Sequence, residues 1–318
     1  MLQALPVLSD SQLDTYLEKI DVPAVLEQTF AALQRGEVVQ PPQSLTLFPA
    51  DRGDCISYQG ILGNFDVFGV KLSPYIPTGS TPIITAWTML MSMKTGQPLL
   101  VCDSGRLTRE RTAATTALAI DKLAPAKARV LAMIGSGDLA HAHLRYAGKL
   151  RQWDSILVYS PNLGANPVRQ ESLKALDPRV RIADSAEACT AGADVVMLVT
   201  SSGKPVLAAE AIGQSMLVTS ISTNVAKAHE IDPACLSTMD VYCDYLATTP
   251  SSAGEMVLAA ASGDWTPEKI KGDLAGLCAG TCSLPDYNRP VFFRSIGLGI
   301  EDIAMAFAIY KQIGNQTL

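Results

Sequence analysis

The sequence has no excess of positive charge, no long apolar run and only three histidines. Its 25 lysines and arginines are outnumbered by 31 aspartates and glutamates, which gives a net charge of −6 at pH 7. A protein whose main partner is nucleic acid carries a basic footprint, so this balance argues against that class. No segment approaches the roughly eighteen consecutive apolar residues of a membrane-spanning helix, and residues 1–6 contain no signal-peptide pattern. We therefore expect a cytoplasmic protein without a membrane partner.

The seven cysteines are odd in number and irregularly spaced, which does not fit a disulfide framework. Without a secretion signal, they are expected to be reduced thiols that pack as small hydrophobic side chains. Cys278 and Cys282 are close in sequence, but none of the three histidines completes a metal-type spacing with them. We predict that the protein binds no metal.

The composition is that of a folded protein long enough for two domains. Hydrophobic residues make up 48% and charged residues 18% of the 318, which excludes a disordered chain. Ser9-Asp10 predicts the start of a helix. Short apolar runs between residues 44 and 101, including one at 82–87, predict a compact sheet with a hairpin turn at Thr95-Gly96. A long helix is predicted at 108–124, ended by Pro125.

After Pro125 the chain alternates between apolar runs and helical patterns. Four runs predict strands, at 130–134, 156–159, 195–199 and 216–221. Helical patterns cover 140–150, 167–176 and, at the C-terminus, 299–313. Alternation of this kind is typical of an α/β fold with a parallel sheet and right-handed crossovers.

The first of these strands leads into a glycine turn, Gly135-Ser136-Gly137-Asp138-Leu139-Ala140. In a Rossmann unit, the first glycine permits the tight turn and the second lets the backbone approach a pyrophosphate. The small residue at the third position lets helix and strand pack closely. N–H groups at the start of the following helix would then bind the phosphates. A strand–turn–helix connection without a ligand is the alternative, but the alternation that follows favours a dinucleotide site at 135–139.

The end of the second strand bears on the choice of coenzyme. An Asp or Glu there would accept the adenosine ribose hydroxyls of NAD. The chain has Ser160-Pro161-Asn162 instead, and we expect Ser160 and Asn162 to contact the coenzyme. The nearest arginine is Arg169. The missing acid favours NADPH and leaves NADH as the alternative.

Four segments, taken in order along the chain, carry a resemblance to a known family that covers nearly the whole chain. They are Thr108-Arg109-Glu110-Arg111-Thr112-Ala113-Ala114, the glycine turn followed by His143, Val199-Thr200-Ser201 with Lys204-Pro205-Val206, and Phe293-Arg294-Ser295-Ile296-Gly297 followed by Glu301-Asp302. Together they resemble the ornithine cyclodeaminase/μ-crystallin family. The resemblance implies a Rossmann dinucleotide-binding domain, residues 119–295, with Thr200 and Ser201 among its coenzyme contacts. It is inserted in a smaller mixed α+β domain, residues 1–118 with 296–318, that binds substrate and forms a homodimer.

The resemblance also implies a substrate site containing Lys71, Thr85 and Arg111, in which Lys71 and Arg111 hold a carboxylate. The planar guanidinium of Arg111 could form two bonds with such a group. From the residues alone, Lys71 could instead face water at a sheet edge, and Arg111 could pair with a neighbouring acid. Family members often carry an arginine after the Pro41-Pro42 pair. Here Gln43 follows, which can donate a hydrogen bond but carries no charge.

Residue 224 bears on the type of reaction. Asn224 stands where cyclodeaminases of the family place a catalytic aspartate, and an amide cannot act as a base. It could also simply cap the segment that follows. We predict hydride transfer from NAD(P)H to a cyclic ketimine acid, such as Δ1-pyrroline-2-carboxylate or Δ1-piperideine-2-carboxylate, giving L-proline or L-pipecolate. The alternatives are an amino-acid dehydrogenase, an ornithine cyclodeaminase and an NADPH-dependent binding protein without turnover. We expect His143 to be structural.

Overall fold

The computed structural model of the protein describes residues 5–222 and 227–316, with side chains up to residue 314. The chain divides into two compact units. The first consists of Met1–Thr112 with Gly297–Leu318, and the second is Ala113–Ile296. The chain therefore enters the second unit earlier than the predicted boundary at residue 118. The functions predicted for the two parts of the chain stay predictions.

The first unit is a mixed α+β structure built on a sheet of eight described strands. The strands are β1 (Val7–Leu8), β2 (Val38–Val39), β3 (Ser44–Leu47), β4 (Asp54–Leu62), β5 (Val67–Ile76), β6 (Ile83–Ile84), β7 (Trp87–Ser92) and β8 (Pro98–Asp103). The helices are α1 (Asp10–Leu17), α2 (Val22–Gln34), α3 (Gly105–Leu123), which continues into the second unit, and the C-terminal α10 (Gly299–Gln316). As predicted, α1 begins after Ser9, its N-cap.

The strands of this sheet follow the order β1-β8-β7-β5-β4-β2, with β3 paired to β4 and β6 paired to β5. β1 and β8 run parallel, and the other pairs are antiparallel. The predicted turn at Thr95-Gly96 joins β7 to β8. The single strand predicted at 82–87 is interrupted between β6 and β7. Opposite this gap lies Pro74 of β5, which has no N–H with which to continue the ladder.

Two glycines bring α10 into backbone contact with β4. A Cβ atom on Gly60 would lie 2.8 Å from the Cα atom of Ile300, and one on Gly299 would lie 2.0 Å from the carbonyl oxygen of Gln59. No side chain fits at either position, so glycine is required for the helix to approach this closely. The contact fixes the first turn of α10, which carries two acids, against the sheet.

The second unit is an α/β structure built on a second sheet of eight described strands. The strands are β9 (Val130–Ile134), β10 (Ser155–Tyr159), β11 (Val180–Ile182), β12 (Val195–Leu198), β13 (Leu217–Ser220), β14 (Asp240–Cys243), β15 (Gly272–Asp273) and β16 (Val291–Arg294). The helices are α4 (Asp138–Ala147), α5 (Pro167–Leu176), α6 (Ala186–Thr190), α7 (Thr249–Ser252), α8 (Gly254–Ser262) and α9 (Leu274–Ala279).

All strands of this sheet are parallel, in the order β11-β10-β9-β12-β13-β16-β14-β15. The order reverses between β9 and β12, which is the arrangement of a Rossmann fold. The predicted α/β fold class is confirmed, and the four predicted strands correspond to β9, β10, β12 and β13. The other four were not predicted. Two of them, β11 and β15, are only three and two residues long, too short to show a hydrophobic period, and the four-residue strands β14 and β16 were not recognised.

Some features are absent from the part of the chain that the structure describes. None of its helices combines the length and the apolar character needed to cross a membrane. Within the same residues, no three His, Cys, Asp or Glu side chains are grouped so that they could hold a metal ion. All seven cysteines are free thiols.

Candidate active site

Strand β9 ends in the predicted glycine turn. Gly135 has a φ of 127°, in the region that favours glycine, and a Cβ atom there would lie 2.4 Å from the carbonyl oxygen of Val199. Its N–H donates to the carbonyl oxygen of Tyr159 at 2.8 Å. The turn is thus held between the ends of β10 and β12, and only glycine fits at its first position.

Gly137, the N-cap of α4, meets a different requirement. Its φ of −79° is open to any residue, and no atom lies within 4 Å of the place where a Cβ atom would be. The first N–H groups of a helix have no partner within the helix. A side chain at Gly137 would fill the space beside those N–H groups, where a Rossmann unit binds the pyrophosphate. The residues present therefore fit a dinucleotide.

A cleft of about 910 Å³ lies at the carboxyl ends of β9, β10, β12 and β13. Most of the residues predicted to contact the coenzyme line it, namely Gly135, Ser136, Gly137, Asp138, Leu139, Ser160, Thr200 and Ser201. Asn162 is exposed and does not belong to this lining. Arg169 of α5 and Ser222, which follows β13, also line the cleft.

A buried carboxylate that the sequence analysis missed lies behind one side of this cleft. Glu230 is fully buried and accepts four hydrogen bonds from the residues that the structure describes. Thr200 donates its N–H at 2.9 Å and its hydroxyl at 2.6 Å, Ser220 donates its hydroxyl at 2.7 Å, and Ser222 donates its N–H at 2.9 Å. No local pattern marks Glu230, because these partners lie 8 to 30 residues away in sequence.

In the first unit, Lys71 and Arg111 are buried together with the two acids of α10. Lys71 Nζ lies 2.8 Å from Oδ2 of Asp302 and donates to Oγ1 of Thr108 at 3.4 Å. Arg111 donates through Nη1 to Glu301 at 2.8 Å and through Nε to Asp302 at 3.1 Å. The four charged side chains are at most 5% exposed. The structure brings the two predicted cations together, and it supplies acid partners for Arg111 from another helix.

This four-residue ion cluster contains two positive and two negative groups. Burial lowers the pKa of the Lys71 ammonium to about 8, although Asp302 acts in the opposite direction. Burial also disfavours the charged form of Arg111, but Asp302 and Glu301 outweigh it and raise the pKa of the guanidinium above its ordinary value. The Lys71 ammonium lies 4.2 Å from the centre of the Tyr58 ring. Arg111 therefore stays charged, whereas Lys71 can exchange a proton near pH 8.

The other predicted substrate residues take no part in the described contacts of this cluster. Thr85 is exposed, and its backbone N–H donates to Pro74 at 3.5 Å. Gln43 is half-buried, and its buried Oε1 has no hydrogen-bond partner among the residues that the structure describes. Asn224 lies outside the described residues.

His143 is almost fully buried in the second unit, with both ring nitrogens in contact. Nδ1 lies 2.7 Å from the carbonyl oxygen of Leu139, and Nε2 lies 3.0 Å from Oγ1 of Thr116. Burial lowers the pKa of His143 to about 4, so the imidazole is neutral at physiological pH. These contacts join α4 to α3 and fit the predicted structural role.

The parallel sheet with its reversal, the glycine turn and the cleft above them define the second unit as a Rossmann-type dinucleotide-binding domain. The sequence model described as "Ornithine cyclodeaminase/mu-crystallin family" matches residues 7–317. The chain belongs to this family, which confirms the resemblance seen in its motifs.

Three similar proteins illustrate the range of the family. The chain is 52% identical over 305 residues to the NAD(P)H-dependent anabolic L-arginine dehydrogenase DauB of Pseudomonas aeruginosa, covering 96% of each. It is 24% identical over 259 residues to Δ1-pyrroline-2-carboxylate reductase of Colwellia psychrerythraea, covering 79% of this chain and 82% of that one. The structure of Thermococcus litoralis Δ1-pyrroline-2-carboxylate reductase, in complex with NADH and L-proline, matches with a TM-score of 0.90 and 23% identity over 99% of each chain. At that identity, the structural likeness shows the fold alone.

Proposed function

We propose that this protein catalyses the NAD(P)H-dependent reductive amination of a 2-oxo acid with a cationic side chain, and that its product is L-arginine. The observation that carries this proposal is the 52% identity to an L-arginine dehydrogenase over 96% of each chain. The glycine turn with its cleft and the buried cations of the first unit are features that such a reaction needs.

The chain is an enzyme, an NAD(P)H-dependent oxidoreductase that acts on the C–N bond of an amino or imino acid. In the proposed direction, a 2-oxo acid, ammonium, NAD(P)H and a proton become an L-amino acid, NAD(P)⁺ and water. When bound, the coenzyme supplies the hydride that the α-carbon receives. The protein's own contribution is to bind and orient the imino acid and to exclude water that would hydrolyse it.

For the coenzyme, we assign the pyrophosphate to the turn at 135–139 and propose that NADPH is preferred. The first observation in support is that Ser160 occupies the position at which an Asp or Glu would repel the 2′-phosphate of NADPH. The second is that Arg169 lines the same cleft. A guanidinium can pair with a 2′-phosphate through two charge-assisted bonds, which NADH cannot form.

For the substrate, we assign the carboxylate to Lys71 and Arg111. Because Glu301 and Asp302 already pair with these cations, a substrate carboxylate would share them with the two acids. Arg111 bonds to both acids, whereas Lys71 lies within hydrogen-bond distance of Asp302. We therefore expect Arg111 both to hold the cluster together and to attract the carboxylate. Lys71, whose pKa is about 8, can also give or take a proton.

The polar groups around the reacting end of the substrate are proposed from the family resemblance. They are Thr85 and Asn224, whereas Gln43 is proposed to contact the substrate carboxylate. Gln43 offers an amide whose Oε1 has no partner in the described part of the chain, so a ligand N–H would satisfy it. Asn224 carries no base, which favours reduction over cyclodeamination.

Reduction of a cyclic ketimine acid is the second candidate function. It is favoured by the similarity to Δ1-pyrroline-2-carboxylate reductase over 79% of this chain. Such an imine needs no ammonium, because its nitrogen already belongs to the ring. The same cationic cluster could hold its carboxylate.

A comparison of substrates tests both candidates. The purified enzyme is given NADPH with the 2-oxo acid of arginine plus ammonium, with Δ1-pyrroline-2-carboxylate, or with Δ1-piperideine-2-carboxylate, and loss of NADPH absorbance is followed. We expect the highest kcat/KM with the 2-oxo acid of arginine. Faster turnover of a cyclic imine would establish the second candidate. Ammonia release from L-ornithine would show a cyclodeaminase, and no turnover with any of these substrates would contradict both candidates.

We also propose a homodimer formed through the sheet of the first unit, in the cytoplasm. Several large apolar side chains of this sheet are at least 41% exposed, among them Leu45, Leu47, Leu72, Ile83, Ile84 and Trp87. A second copy of the chain would cover such exposed apolar side chains. Light scattering should give the mass of a dimer for the wild type and of a monomer for Ile84→Glu, and a monomeric wild type would contradict the proposal. The seven free thiols support a reducing compartment.

A further inference from the structure

Glu230 anchors the segment that follows β12 through both its side chain and its backbone. Its carboxylate accepts from the N–H and the hydroxyl of Thr200, and its carbonyl oxygen accepts from the N–H of Val206 at 2.8 Å. Thr200 Oγ1 in turn accepts from the N–H of Ser202 at 3.1 Å. Thr200, Ser202 and Val206 all line the cleft, so the shape of this rim depends on one glutamate.

The same carboxylate holds a strained residue on the neighbouring strand end. Ser222 has a φ of 49°, in the left-handed region that non-glycine residues rarely adopt, and its N–H donates to Glu230 at 2.9 Å. Strain of this kind persists only where the surrounding contacts enforce it. Ser222 lines the cleft, and its buried hydroxyl oxygen has no hydrogen-bond partner within residues 5–222 and 227–316. A ligand in the cleft would supply one.

These contacts all belong to one half of the cleft. In a Rossmann fold, the strands on one side of the reversal bind the adenosine half of a dinucleotide, and those on the other side bind the second half. Here the glycine turn follows β9 and Ser160 follows β10, so the adenosine half belongs to their side. The ends of β12 and β13, which Glu230 connects, would then face the nicotinamide half.

We propose that Glu230 is a positioning residue for the nicotinamide half of the coenzyme, which it serves by fixing Thr200 and Ser222. This inference rests on the proposed coenzyme site. A glutamine could not replace the glutamate, because each carboxylate oxygen accepts one backbone N–H, from Thr200 at Oε1 and from Ser222 at Oε2. Either orientation of a side-chain amide would place its NH₂ group against one of these donors.

Asp244 offers a matched control within the same unit. It is also fully buried, and it also accepts from two backbone N–H groups and two hydroxyls. The donors are the N–H groups of Tyr245 and Ile296 and the hydroxyls of Thr249 and Ser295. None of these four residues belongs to the cleft lining. Asp244→Asn therefore disturbs a similar hydrogen-bond network whose four donors lie outside the cleft lining.

The test compares the dissociation constants of NADPH, NADH and ADP for the wild type, Glu230→Gln and Asp244→Asn. ADP carries adenosine and both phosphates but lacks the nicotinamide half. In Glu230→Gln, a hydrogen bond to a charged group is lost. The dissociation constant of whichever coenzyme binds the wild type more tightly should rise about tenfold or more, while that of ADP changes by less than about twofold. The coenzymes and ADP should bind Asp244→Asn as tightly as they bind the wild type, even if the Tm of this variant falls.

Other results would overturn either the role of Glu230 or the proposed coenzyme site. Equal losses for ADP and coenzyme in Glu230→Gln, or no loss for either, would overturn the role of Glu230. A wild type that binds neither NADPH nor NADH would instead overturn the proposed coenzyme site. If Glu230→Gln does not fold, Ser220→Ala removes one of the four bonds from outside the cleft lining. This variant should raise the dissociation constant of the coenzyme about threefold and leave that of ADP unchanged. Unchanged coenzyme binding would overturn the proposal.

Discussion

Replacing Arg111 by methionine should destabilise the protein strongly, because the arginine belongs to a buried group of four charges. Its side chain is 5% exposed and bonds to Glu301 at 2.8 Å and to Asp302 at 3.1 Å. Without it, two buried carboxylates lose the guanidinium that bonds to both of them. Breaking a buried ion pair by removing one partner typically costs about 3–5 kcal/mol. For a protein of this size, such a loss lowers Tm by roughly 5–7 °C.

The same substitution should also raise KM for the 2-oxo acid, if Arg111 contacts the substrate carboxylate. Charge-assisted bonds contribute about 1.5–3 kcal/mol each, which corresponds to roughly ten- to a hundred-fold in KM. A second variant separates the two effects. Arg111→Met combined with Glu301→Gln restores the charge balance, since Lys71 and Asp302 remain as a pair. This double variant should regain most of the lost Tm while KM stays raised.

Calorimetric Tm values and steady-state kinetics on both variants provide the measurements. Arg35→Met is the control, because Arg35 forms an ion pair with Glu37 at 2.8 Å on the surface, where both side chains are largely exposed. It should change Tm very little. A wild-type KM in the double variant would refute a substrate contact and leave Arg111 as a salt-bridge partner. A Tm for Arg111→Met as high as that of Arg35→Met would refute the reasoning about the buried cluster.

Four further variants test the second unit. Gly137→Val should abolish coenzyme binding in fluorescence titration with little loss of Tm, since its side chain meets open space. Gly135→Ala should instead lower Tm, because its methyl group would lie 2.4 Å from the carbonyl oxygen of Val199, and the reverse pattern would refute both assignments. Arg169→Ala should weaken NADPH about tenfold or more and leave NADH unchanged, and parallel losses would show that the arginine does not read the 2′-phosphate. Burial lowers the pKa of His143 from 6.5 to about 4, so the unfolded chain binds the proton more readily and stability falls as pH drops through this window. His143→Gln should abolish up to about 3 kcal/mol of that fall, and urea midpoints that decline equally in both proteins between pH 6.5 and 4 would contradict it.

Features of the fold that depend on local sequence were predictable. The apolar run of β9, the glycine turn and the helix after it are contiguous, so residue types and spacing indicate them directly. The hairpin at Thr95-Gly96 is likewise set by its own turn residues. By contrast, the gap opposite Pro74 was missed because it depends on pairing between β5 and β6, which no local window contains.

In the candidate sites too, contacts between residues distant in sequence were not predicted. The sequence marked Lys71 and Arg111, but it did not pair them with acids 190 residues beyond Arg111. Glu301 and Asp302 reach these cations because Gly60 and Gly299 allow α10 to lie against β4. Glu230 was missed for a similar reason, since a buried carboxylate is recognisable only once its distant donors are known.

Transfer of labelled hydride tests the central claim most directly. The enzyme is incubated with ammonium, the 2-oxo acid of arginine and NADPH that carries deuterium at both C4 positions of the nicotinamide. The amino acid formed is then analysed by mass spectrometry and chiral chromatography. We predict L-arginine with one deuterium, bound to the α-carbon. Arginine without deuterium at that carbon, or oxidation of NADPH without formation of arginine, would contradict the proposed reaction.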